Sequence, residues 1–223
     1  MNTVKLFVEG GGNSKYLHTE CRRAFSSFLQ KAGLCGYMPR IVACGSRNDA
    51  YDSYCTAVNN GEEAVLLVDS EAVVIVPSGI TEYTDIKMWK PWHHLKNRLG
   101  QTGQLADNWD KPVKASDEDC HLMVELMESW FLADTDALKQ YYGQGFNENS
   151  LPRQQSIESI SKADVFRSLE RATRNTKKGT YSKGNHSFDI LEQIDPNKVT
   201  NQSKWAKRFV TLMSEKMLGT AQK

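Results

Sequence analysis

The chain has 223 residues, and 39% hydrophobic with 25% charged side chains is the balance of a globular protein with a real core. Its 28 Lys and Arg against 27 Asp and Glu leave a formal charge of +1, which points to no class of partner. No run approaches the roughly 18 apolar residues of a membrane span, no signal-peptide layout opens the chain, and five cysteines without a CxxC pair exclude a disulfide framework and a zinc ribbon. A cytoplasmic protein with reduced thiols is expected.

Val4 to Glu9 is a buried strand that stops at Gly10-Gly11-Gly12. Tyr16, Leu17, Phe25, Phe28 and Leu29 recur at helical spacing between Asn13 and Ala32, with Asn13 or Ser14 as N-cap and Gly33 as stop. Pro39 to Cys44 predicts a second strand and Asp49 to Val58 a second helix. Ala64 to Asp69 (AVLLVD) is continuously apolar, as a central parallel strand should be. Strands alternating with helices in this order predict an α/β fold with a mainly parallel sheet.

Residues 72–118, with three tryptophans and adjacent His93 and His94, interrupt the pattern as an insertion carrying a short helix near His93 to Arg98. The two histidines are placed in core or surface roles, since adjacent residues do not share a helix face. His121 to Val124 predicts the fourth strand, running into a helix through Glu128 to Asp134. Beyond it the chain reads as helical over 162–175, 188–194 and 204–218, with a polar, turn-rich stretch from Lys177 to Ser187. The division is therefore a core over 1–135 and a helical extension over 136–223. Residues 1–161 hold 15 basic and 21 acidic side chains, a balance of −6, while residues 162–223 hold 13 and 6, a balance of +7. A basic segment on an acidic body suits an anionic polymer approaching a carboxylate cluster.

The carboxylates stand at strand ends. Glu9 closes the first strand, and Asp69 and Glu71 close the central one as Asp-Ser-Glu. In an open parallel sheet ligands bind beyond the carboxyl ends of the strands, so neighbouring strands would bring these acids together. Hard oxygen donors of this kind suit Mg²⁺ or Mn²⁺, and such sites perform phosphoryl chemistry. Glu128 is a candidate further ligand, three residues after Glu125 on one helical face. Lys177, Lys178, Tyr181 and Lys183 are candidates for phosphate contact and base stacking, with His186 a candidate proton donor to a leaving oxygen. Arg47, after the second strand, is expected at the same edge, paired with a phosphate or with an acid such as Asp69. The stripe Trp205, Phe209, Leu212, Met213 on the last helix is either core or a docking face.

Glu followed by glycine after the first strand, then Asp-x-Asp/Glu after a later apolar strand, is similar to the Toprim domain of topoisomerases, primases and overcoming-lysogenization-defect nucleases. The resemblance covers about residues 3–135. It implies acid/base or metal work for Glu9 and metal binding for Asp69 and Glu71, with Glu71 departing from the commoner Asp by a methylene. The whole chain also resembles a small family of Toprim-like proteins through Val8-Glu9-Gly10, Leu67-Val68-Asp69, Met127 to Asp134, and the Lys183, His186, Ile194-Asp195-Pro196 run. That second resemblance implies an ATPase partner in a bacterial anti-phage defence assembly. The expected function is Mg²⁺- or Mn²⁺-dependent cleavage of nucleic-acid phosphodiesters, with Glu9, Asp69, Glu71, Lys183 and His186 catalytic. The alternatives are a non-catalytic regulatory or docking partner of an ATPase, and a metal-dependent nucleotidyl or phosphoryl transferase.

Overall fold

The computed structural model describes residues 4–77 and 85–221, so residues 78–84 of the 72–118 insertion lie outside the described residues. Four parallel strands form one sheet in the order β2-β1-β3-β4: β1 Lys5–Gly11, β2 Arg40–Gly45, β3 Ala64–Asp69 and β4 Cys120–Met123. The α/β parallel-sheet expectation holds. Every residue of β3 is buried, which is why its sequence is apolar without alternation.

Period-two alternation distributes the strands between two cores. Val4 just before β1 and Leu6 and Val8 within it, with Val65 and Leu67 of β3, face helix α1 (Lys15–Leu29) through Cys21, Phe25 and Phe28. Phe7, Leu66 and Val68 face the other way, toward Ala50, Tyr54 and Ala57 of α2 (Arg47–Asn59). Ser14 caps α1 by accepting from Leu17 N–H, and Gly33, at φ 99°, ends the turn that follows it. Ser46 and Asp49 form a capping box on α2, a device worth about 1 kcal/mol.

The insertion contributes α3 (Pro91–Asn97), whose His94 is fully buried. The predicted helix after β4 is instead a 3₁₀ segment over Met127–Ala133, wholly buried, followed by α4 (Thr135–Tyr142). An all-buried seven-residue stretch has no amphipathic stripe, so its helical type left no periodic signal.

The remaining helices are α5 (Lys162–Thr173), α6 (Lys183–Gln193), α7 (Pro196–Gln202) and α8 (Lys204–Ala221). They are not peripheral: one hydrophobic cluster runs from Val4 to Met217 and takes side chains from both sides of residue 135. Trp130 stacks on Phe28 at 5.0 Å and on Phe209 at 6.4 Å, so it joins α1 to α8. Trp205, Phe209, Leu212 and Met213 are all buried. The stripe on the last helix is core, which removes it as a docking face. α6 begins at Lys183, five residues earlier than its apolar pattern predicts, because Lys183 to Ser187 carry almost no apolar side chains.

Candidate metal and phosphate site

β1 and β3 are neighbours, while the chain passes from β1 first to β2 on the other side. That reversal is the switch point at which doubly wound sheets open a crevice beyond the carboxyl ends of their strands. Glu9 and Asp69 stand there, and the loop after β3 adds Glu71. One carboxylate oxygen from each of the three lies within 4.8 Å of the others. The sequence reading of these three acids as one cluster is met.

The backbone around the cluster is under tight steric control. Gly10, Gly11 and Gly12 have φ of 137°, 91° and 48°, and a Cβ on Gly11 would lie 2.5 Å from the His18 ring. Gly45, at φ 82°, approaches so closely that a Cβ would meet Gly12 O at 2.6 Å. Glycine is required at both points. Glu71 sits at φ 63°, a left-handed conformation that costs a non-glycine residue about 1–3 kcal/mol. Its N–H donates to Glu125 O at 2.8 Å, and its carboxylate pairs with Lys162 at the start of α5. His94 ties the same loop: Ser70 O lies 2.8 Å from Nε2, and Ile75 N–H donates to Nδ1 at 3.0 Å, so the proton is on Nε2.

Each acid is held differently. Glu9 Oε2 accepts from Asp69 N–H at 2.9 Å and lies 3.4 Å from Arg47 Nε. Asp69 Oδ1 accepts from Met127 N–H at 2.7 Å, whereas Oδ2 is buried with no hydrogen-bond partner among the described residues. Burial pushes the Glu9 and Asp69 carboxyls above the ordinary range, and for Asp69 the Glu9 charge adds to it. The compensating cation is Lys183, whose Nζ is 3.5 Å from Asp69 Oδ2 and 3.7 Å from Glu128 Oε2. Burial alone would lower its ammonium, but Asp69, Glu128, Glu9 and Glu71 outweigh that and hold it raised.

Several expectations are corrected. Glu128 lies outside the three-carboxylate group and is fully buried; its Oε1 accepts from Tyr181 Oη at 2.9 Å and Ser187 Oγ at 3.3 Å. Its Oε2, buried and without a hydrogen bond among the described residues, lies 3.7 Å from Lys183 Nζ. Tyr181 is buried beneath Glu128 and offers no face for base stacking. His186 packs on the Tyr141, Tyr142 and Tyr181 rings, accepts from Ser182 N–H, and takes no part in the site cavity. Burial lowers its pKa, which disfavours the protonated acid expected of it. Arg47 is at the edge as expected, but its guanidinium is committed to Asp69 O, to Asp107 and to the face of Trp109. Glu125 is buried and accepts from Lys162 N–H at the start of α5. Lys177 and Lys178 are exposed, with the Lys178 ammonium 4.4 Å from the Tyr141 ring centroid.

Lys162, Asp107 and Ser187 escaped sequence reading, and His94, read there as a core or surface residue, is the core residue that ties the Glu71 loop. Only tertiary packing brings them to the edge, and no local spacing announces it. A cavity of about 450 Å³ opens beside the cluster, walled by Leu17, Met123, Met127 and Phe188, with Lys183 and Gly184 at one side.

These features define an α/β parallel-sheet protein with a buried acidic cluster at its topological switch point. The chain belongs to the family described as a domain of unknown function, DUF4276, whose profile matches residues 8–214. No curated protein and no solved structure matches it. Among the described residues no helix is long and apolar enough to cross a membrane.

Proposed function

We propose that the chain is a Mg²⁺- or Mn²⁺-dependent nuclease that hydrolyses nucleic-acid phosphodiesters, working with an ATPase partner in a defence assembly. The observation that carries the reading is the convergence of Glu9, Asp69 and Glu71 at the β1/β3 edge, with a buried Asp69 oxygen left without a hydrogen bond among the described residues. The donor set fits a hard divalent cation: three carboxylates, no sulfur and no imidazole. Glu9, Asp69 and Glu71 would hold the ion, which when bound supplies an activated water and charge stabilisation at the attacked phosphate.

The protein's own groups set the rest. Arg47 orients Glu9 and, through Asp69 O, the end of β3. Met127 N–H fixes one Asp69 oxygen so that the other is directed into the cluster. Lys183, held by Glu128, places one positive charge beside the acids, where it would meet a phosphate oxygen. The ATPase rests on the family resemblance alone.

A second reading has its own observation. Lys183 already neutralises Asp69 and Glu128, and a lysine in that position suits a non-catalytic protein whose acid cluster is merely compensated. Calorimetric titration with Mn²⁺ separates the two. The nuclease reading expects saturable binding in the unaltered protein, its loss in Asp69→Asn with the fold retained, and metal-dependent cleavage lost in the same variant. Full cleavage by Asp69→Asn, or no Mn²⁺ binding at all, overturns it.

A further inference from the structure

We infer that the cavity beside the carboxylates is a pocket for a single unpaired nucleobase, so the strand this protein accepts is single-stranded or has a nucleotide turned out of its duplex. The inference rests on the nuclease reading and narrows its substrate.

The cavity is larger than ion and phosphate chemistry requires. Its volume is about 450 Å³, against about 30 Å³ for one water in the liquid. That size falls in the range of small-molecule pockets. Beyond the acids, Lys183 and the polar side chains of Asn13, Ser46 and Ser187, its walls carry four large apolar side chains: Leu17 from α1, Met123 from β4, Met127 after it, and Phe188 from α6. Hydrated ions gain nothing from such a surface, whereas a flat ring does. The charged end and the apolar end adjoin, so the matching ligand joins a phosphate directly to a flat, largely apolar group. A nucleotide within a strand has that composition.

Gly184 is the second, independent observation. It lines the cavity from the first turn of α6. Its backbone is not left-handed, and a Cβ there would meet nothing within 4 Å. Neither conformation nor packing against the protein requires glycine there. What its missing side chain preserves is room beside Lys183. In a continuous duplex the bases are stacked inside and cannot enter a concave, half-enclosed pocket, so an unpaired or everted base is required.

The experiment measures binding of a fluorescent single-stranded oligonucleotide carrying one 2-aminopurine, with Ca²⁺ in place of Mg²⁺, against the same sequence as a duplex. The expected result is at least tenfold tighter binding of the single strand, with a change in 2-aminopurine emission. Gly184→Leu, which fills the space from an exposed helix position, and Leu17→Trp, which fills it from α1, should each weaken that binding at least tenfold. Mn²⁺ affinity should stay within twofold in both. Equal affinity for duplex and single strand, together with Gly184→Leu binding as the unaltered protein does, overturns the pocket even if Mn²⁺ binds normally. The converse result, no Mn²⁺ binding but a strong Gly184→Leu effect on the single strand, supports the pocket and overturns the nuclease reading. A free nucleoside monophosphate that displaces the oligonucleotide at equal concentration overturns the strand as occupant.

Discussion

Lys183 Nζ stands 3.5 Å from the Asp69 oxygen that no hydrogen bond reaches among the described residues, although the two lie far apart in the chain. The pairing joins the first turn of α6 to the end of β3, and it puts the C-terminal part of the chain into the site. Its chemistry follows from burial. Asp69 and Glu128 are almost fully enclosed, and like charges so placed require a cation or a proton.

Lys183→Met should therefore destabilise the metal-free protein at pH 7 by about 1–2 kcal/mol. Removing one partner of a fully buried pair costs about 3–5 kcal/mol, and the half-exposed lysine stem reduces that figure. Urea denaturation with and without saturating Mn²⁺ checks it. If the acids hold metal, the deficit should shrink when Mn²⁺ is present, because the ion replaces the missing charge.

Tyr181→Phe should cost about 1–3 kcal/mol while leaving the affinity for nucleic acid unchanged. The hydroxyl donates to buried Glu128, and deleting it strips a donor from a desolvated carboxylate. Chemical denaturation and filter binding of the same variant provide the two measurements. A large drop in binding with stability intact would return Tyr181 to the surface role that its burial denies.

Lys177 and Lys178 are exposed basic side chains outside the acid cluster that can meet a strand. Replacing both by alanine should weaken binding evenly across sequences and flatten the salt dependence. On single strands the slope of log affinity against log salt should fall by about 0.7 for each phosphate that is no longer neutralised. An unchanged slope places the loop away from the bound strand.

His121 should lower stability as pH falls through about 6.5. Burial, then the Arg208 and Lys216 charges, hold its pKa well below the ordinary histidine value. Its Nδ1 accepts from Arg208 at 3.0 Å, which a protonated ring cannot do. Below pH 6.5 the unfolded chain binds a proton at this residue that the folded chain refuses, so stability declines by up to about 1.4 kcal/mol per pH unit. His121→Asn keeps an acceptor near Nδ1 and should show a shallower decline between pH 7 and 5.5, read from denaturation midpoints.

The strands and their acids were legible because local physics decides them. β1 and β3 announce themselves as short apolar runs ended by glycine or by acids, and parallel order then requires Glu9 and Asp69 to share an edge. The single interval between Asp69 and Glu71 also survives in three dimensions, since the loop between them is too short to separate their carboxylates. What the sequence left open is how the groups that reach the site from elsewhere in the chain are held there. Lys183, Gly184 and Ser187 lie in a polar stretch with no helical stripe, so neither the start of α6 nor its seat on α1 is encoded in their spacing. Glu128 reads equally well as a surface acid, and only the packing of Trp130 between Phe28 and Phe209 draws its segment fully inside. Tyr181 and His186 have the composition of a nucleic-acid loop, yet burial against Glu128 and the tyrosine cluster assigns them to support. Residue identity and local period determine which groups have chemistry; long-range packing decides which are desolvated, which are paired, and hence which remain available to a ligand.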